Sequence, residues 1–169
     1  TATFTIAGNA TAGVRNVTVT TSAGISGTQT FTVSPASPTF MAISPNSGVR
    51  GLNVPVTLTG TNFIVGATIG LSGTGVAVSN TVVISPTQIS ALFAIAGNAT
   101  VGVQNVSVTT SGGTSGVQTF TVNQPSPTLN AISPNSGIQG QSVPLTVTGT
   151  NFIAGATIDL SSTGIAVSN

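Results

Sequence analysis

Across 169 residues there are three charged side chains, Arg15, Arg50 and Asp159, and no His, Cys, Lys, Glu, Trp or Tyr. A net charge of +1 without clustered Lys and Arg excludes nucleic acid as a partner, and the lack of Cys excludes disulfides and most zinc sites. At 39% hydrophobic residues the chain has too much apolar surface for a disordered segment, yet no run approaches the ~20 apolar residues of a membrane-spanning helix.

The sequence repeats itself. SPTFMAISPNSG from Ser37 to Gly48 returns as SPTLNAISPNSG from Ser126 to Gly137, in a register of 89 residues that holds without a gap. Phe4 pairs with Phe93, Asn16 with Asn105, Phe31 with Phe120 and Phe63 with Phe152; roughly 56 of the 80 aligned positions are identical. A period of this length suits one whole sandwich domain per repeat. The expected organisation is therefore residues 1–35 as the C-terminal half of a module, 36–125 as a complete module and 126–169 as the N-terminal half of the next. Taken together, the two partial modules lack only the counterpart of Thr81–Ile89. No secretory signal with a charged leading region is visible. Because the chain opens inside a module, its true N-terminus is expected elsewhere.

Within the complete module, runs rich in Val, Ile, Thr and Phe alternate with clusters of Gly, Pro, Asn and Ser, which predicts an all-β fold. The predicted strands, in chain order, are Thr39–Ser44, Val54–Thr59, Ala67–Leu71, Val76–Ser79, Val82–Ser85, Gln88–Ile95, Val103–Thr110 and Val117–Val122. SPNSG, GTNF, SGTG, SP, AGNATVG and TSGGTSG read as the turns between them. Alternation is imperfect in Val103–Thr110, where Gln104 shares a face with Val106 and Val108. Short strands punctuated this often predict a β-sandwich.

Ile43-Ser44-Pro45, Ser47-Gly48 and the run Val54-Pro55-Val56-Thr57-Leu58-Thr59-Gly60-Thr61-Asn62-Phe63 resemble the IPT/TIG immunoglobulin-like domain. Ile132-Ser133-Pro134, Ser136-Gly137 and Gly149-Thr150-Asn151-Phe152 repeat the pattern, and Phe120-Thr121-Val122 is similar to the family's closing strand. Where the family often has paired glycines, Arg50-Gly51 and Gln139-Gly140 keep one. The resemblance implies tandem immunoglobulin-like β-sandwiches. The family occurs in receptors, transcription factors and repetitive bacterial surface proteins, so it names no function by itself.

Catalytic chemistry has little to work with. Serine nucleophiles need a base, and acid–base catalysis needs His, carboxylates or Lys. The single carboxylate, Asp159, stands where the other copy has Gly70, and reads as a solvated group at a strand end. One Asp cannot build a calcium site, and without Lys there is no Lys–Asn isopeptide crosslink. A Thr–Gln ester crosslink stays open on composition. Ser111–Gly116 lacks the strand-to-helix context of a phosphate loop and reads as a hairpin turn. Asn9, Asn16, Asn98 and Asn105 each start an Asn-x-Thr/Ser sequon but read as turn and strand residues. The Phe residues, fixed in the repeat, read as core rather than as a platform for sugars. No catalytic, cofactor or metal residue is assigned and no cofactor is expected.

The expected function is a structural, extracellular or cell-surface filament grown by head-to-tail continuation of the modules, with the chain itself as partner. The continuation is either one long polypeptide or separate copies that donate strands to each other. Three other readings stay open at this point. They are a spacer stalk of a bacterial adhesin, a polysaccharide-binding module of a larger secreted protein, and amyloid-like stacking, which the regular Pro and Gly turns disfavour.

Overall fold

The computed structural model describes residues 1–161 and 164–168. Every regular element among them is a strand. By contacts the chain falls into two units, Thr1–Asn123 and Gln124–Asn169.

In the first unit, β1 (Gly13–Val17) pairs antiparallel with β4 (Gln29–Val33), and β2 (Thr20–Thr21) with β3 (Gly24–Ile25). Nine strands follow between residues 39 and 123: β5 (Thr39–Ser44), β6 (Ser47–Val49), β7 (Asn53–Thr61), β8 (Thr68–Leu71), β9 (Val76–Ser85), β10 (Gln88–Ile95), β11 (Gly102–Thr110), β12 (Gly113–Thr114) and β13 (Gln118–Asn123). They form two sheets. One has the order β5-β7-β10-β9; the other runs β12-β11-β13-β6, with β8 also paired to β11. In the second unit, β14 (Thr128–Ser133) pairs with β15 (Thr146–Thr150).

Period-two patterning makes the core of the central segment. In β10, Ile89, Ala91, Phe93 and Ile95 point inward; in β7 Val56 and Leu58 do the same. The opposite sheet contributes Val106, Val108, Phe120 and Val122, and all of them share one hydrophobic cluster. Phe93 and Phe120 join the two sheets edge to face, with ring centroids 5.1 Å apart. Pro55 sits in the middle of β7, where an N–H would normally be needed. The β5 register ends at Thr57, so β7 has one neighbour at Pro55 and the missing donor is tolerated.

The run Gly60-Thr61-Asn62-Phe63 shows why its residue types are needed. A side chain at Gly60 would strike the Thr39 carbonyl and the Phe63 ring. Thr61 meets Thr39 hydroxyl to hydroxyl at 2.8 Å. Asn62 takes a left-handed backbone (φ 57°) and its Nδ2 donates to the Ser37 carbonyl at 2.9 Å. Phe63 fills the core. Gly149, Thr150 and Asn151 repeat each arrangement: Thr128 and Thr150 meet at 2.6 Å, Asn151 has φ 60°, and its Nδ2 donates to Ser126 at 3.0 Å. Ser44-Pro45 and Ser133-Pro134 are both cis.

Several expectations need correction. Val76–Ser79 and Val82–Ser85 are one strand, not two. Asn80, at φ 52°, creates a bulge that shifts the register against β10 and exposes two successive residues, Ser79 and Asn80. The alternation changes phase there, which is why it reads as a break. The SPNSG turn also contains a strand: Ser47–Val49 pairs parallel with Thr121–Asn123. Three residues carry too little pattern to announce a strand whose partner lies more than 70 residues away. The other predicted strands are present with ends shifted by at most two residues. Asp159 lies outside any strand, exposed in the irregular stretch after β15, rather than at a strand end.

Candidate assembly faces

The features that separate the central segment from its flanks are burial and cover. Phe93 is 0% exposed, whereas Phe4, its counterpart 89 residues earlier, is 56% exposed. Phe4 still meets Phe31 edge to face at 5.1 Å, the geometry of Phe93 with Phe120. The ring pair is kept and its cover is missing. Together with Ile6, Val17 and Val33, these rings line an open groove of about 600 Å³.

Residues 128–153 show the complementary situation. Phe63 is 1% exposed, but its counterpart Phe152 is 45% exposed. Leu129, Ile132 and Leu145 are likewise exposed where Phe40, Ile43 and Val56 are buried. Monomeric soluble proteins rarely leave contiguous apolar faces of this kind in water.

Gly48 locates what is missing. A Cβ there would lie 2.5 Å from Ile95 Cδ1, 2.7 Å from Val54 Cγ2 and 3.1 Å from Phe120 Cζ. At Gly137 the same atom would meet only Val143, the counterpart of Val54, at 2.9 Å. The counterparts of Ile95 and Phe120 are Ile6 and Phe31, which belong to the first flank.

Two polar residues of the central segment, Gln104 and Thr110, are buried. The Nε2 of Gln104 donates to the Thr100 carbonyl at 3.1 Å. Arg15, at the corresponding place in the first flank, donates to the Thr11 carbonyl at 2.5 Å. Arg50 donates through Nε to the Ala99 carbonyl at 2.6 Å, tying the β6–β7 connection to the loop before β11. Among the described residues no buried side-chain polar atom lacks a hydrogen-bond partner.

The residues singled out for other chemistry are scattered. Among the described residues there is no group of three or more His, Cys, Asp or Glu that could hold a metal ion. Ser111–Gly116 forms the β11–β12 hairpin and its exit. Asn9 and Asn98 lie in exposed turns, and Asn16 and Asn105 are exposed in β1 and β11. Phe40, Phe63, Phe93 and Phe120 are core residues. Among the described residues no helix is long and apolar enough to cross a membrane. The repeat register is what marks Phe4 and Phe152 as counterparts of the buried Phe93 and Phe63; neither flank announces itself in its own residues.

Neither a protein-family model nor a curated protein sequence matches the chain, so its functional reading rests on its own residues and geometry.

Proposed function

We propose that this is a structural protein, a series of immunoglobulin-like modules continued head to tail into an extracellular filament. One observation carries the reading. The apolar residues buried in the central segment reappear uncovered on both flanks, and the two flanks expose opposite halves of the same core.

The sheet orders support the immunoglobulin-like part. Strands β5-β7-β10-β9 follow the A-B-E-D order of that sandwich, and β8, β11 and β13 take the places of C, F and G. The resemblance to IPT/TIG domains gains a physical basis from the run Gly60–Phe63, where each residue has a separate structural role. On this reading the module boundaries fall at 35/36 and 125/126, close to the division at Asn123.

The filament part is supported by composition. A nearly uncharged surface provides little like-charge repulsion between copies, which favours association. The reading includes no catalytic role, because no acid–base pair or activated nucleophile is assembled.

Immunogold labelling of the cells that make the protein tests the proposal. Label along filaments outside the cell is the expected result. Label confined to the cell interior, or spread without filaments, would overturn it.

A further inference from the structure

We infer that residues 35–37 form a strap seated against the β11–β12 hairpin, and that the bare Cα of Gly112 is what admits it. The chain then enters the central segment through a fixed joint rather than a loose linker. This does not depend on the filament reading, because it concerns only the strap and the hairpin it lies on.

Three contacts hold the strap. Ser37 Oγ donates to the Gly112 carbonyl at 2.8 Å. Asn62 Nδ2, from the turn after β7, donates to the Ser37 carbonyl at 2.9 Å. The Ala36 carbonyl lies directly against Gly112. A Cβ at that glycine would strike the carbonyl oxygen, and would lie 2.8 Å from the carbonyl carbon and 3.0 Å from the Pro35 oxygen. These are backbone atoms, with no rotamer that could move them aside. Pro35 and the buried Pro38 have fixed φ angles, so the strap loses little conformational freedom when it docks.

The hairpin itself does not call for glycine at 112. Its counterpart 89 residues earlier is Ala23, and the β2–β3 hairpin has the same build. Thr21 pairs with Gly24 as Thr110 pairs with Gly113. Ala23 N donates to Thr21 Oγ1 at 3.2 Å, and Gly112 N donates to Thr110 Oγ1 at 3.1 Å. The positive φ falls on the next residue in both, Gly24 at 135° and Gly113 at 126°, and neither Ala23 nor Gly112 has one. A methyl at this place therefore suits the turn, and it is the strap that requires its absence. A carbonyl placed as that of Ala36 is would collide with the Ala23 methyl, so the seat belongs to the central segment and not to the repeat as such.

Limited digestion of the full chain with elastase tests the joint. The enzyme cuts after small residues, and Ala36 stands between Pro35 and Ser37 in a sequence that it accepts. Cleavage of a docked segment waits on its local opening, so the rate reports how firmly the strap is held. The fragment that begins at Ser37, followed by mass spectrometry, should appear about tenfold faster from Gly112→Ala than from the native chain. The urea midpoint of the same variant, read by circular dichroism, should stay near the native one, because the hairpin accepts Ala. Ala23→Gly, the reverse change in the first hairpin, should leave release of that fragment unchanged. Equal rates from Gly112→Ala and the native chain would overturn the inference, as would an equal acceleration by Ala23→Gly. A urea midpoint lowered as far as that of Gly48→Ala, which crowds Ile95 and Phe120, would also overturn it, since Gly112 would then be required by the fold and not by the strap.

Discussion

A methyl group added at Gly48 would lie 2.5 Å from the Cδ1 of Ile95, a separation that a packed core does not accommodate. The side chains of Val54 and Phe120 close the same position from two other directions. Gly48→Ala is therefore expected to destabilise the central segment by about 1–3 kcal/mol, the usual range for overpacking. Gly137→Ala, facing only Val143, should change the stability of the free chain by less than ~0.5 kcal/mol. Urea denaturation of the two full-length variants at low protein concentration checks the contrast.

The aromatic pairs give a second contrast of the same kind. Phe120→Ala removes a fully buried ring and should cost about 3–5 kcal/mol. Phe31→Ala removes the corresponding half-buried ring and should cost far less. Fluorescence is uninformative without Trp or Tyr, so far-ultraviolet circular dichroism is the suitable probe of unfolding.

Asn62 combines a left-handed backbone with a side-chain bond to the Ser37 carbonyl. Asn62→Gly keeps the backbone conformation and loses the bond, whereas Asn62→Ala loses both. The expected order of thermal stability is native, then Gly, then Ala, with the Ala variant lower by about 1–3 kcal/mol. Equal losses for the two variants would show that backbone conformation contributes nothing at this position.

Some of this architecture was legible in the residues and some was not. β5 and β10 stand out because their inward positions are apolar and their ends are marked by Pro, Gly or Asn. The strand across Asn80 does not, because a bulge reverses the alternation midway. The Ser47–Val49 strand exists only through its distant partner, so no local signal announces it. Gln104 shares the face of Val106 and Val108 in the sequence pattern, but nothing local shows how a polar side chain is accommodated there; its burial depends on a bond to the Thr100 carbonyl and on the bare Gly73 against its side chain. The uncovered faces follow from the repeat register, since Phe4 and Phe152 are recognisable as core residues only beside Phe93 and Phe63.

Chelation should have no effect. With one carboxylate in the chain, and no metal-binding group among the described residues, rigidity is attributed to packing rather than to calcium. The thermal midpoint measured with EDTA should equal that with added calcium. A rise on adding calcium would reveal a site built from backbone and amide oxygens.

Sedimentation velocity of the unmodified chain over a range of concentrations tests the central claim most directly. The account predicts that the weight-average mass climbs well above the 16.4 kDa of one chain as concentration rises. A single species of one-chain mass at every concentration would contradict it.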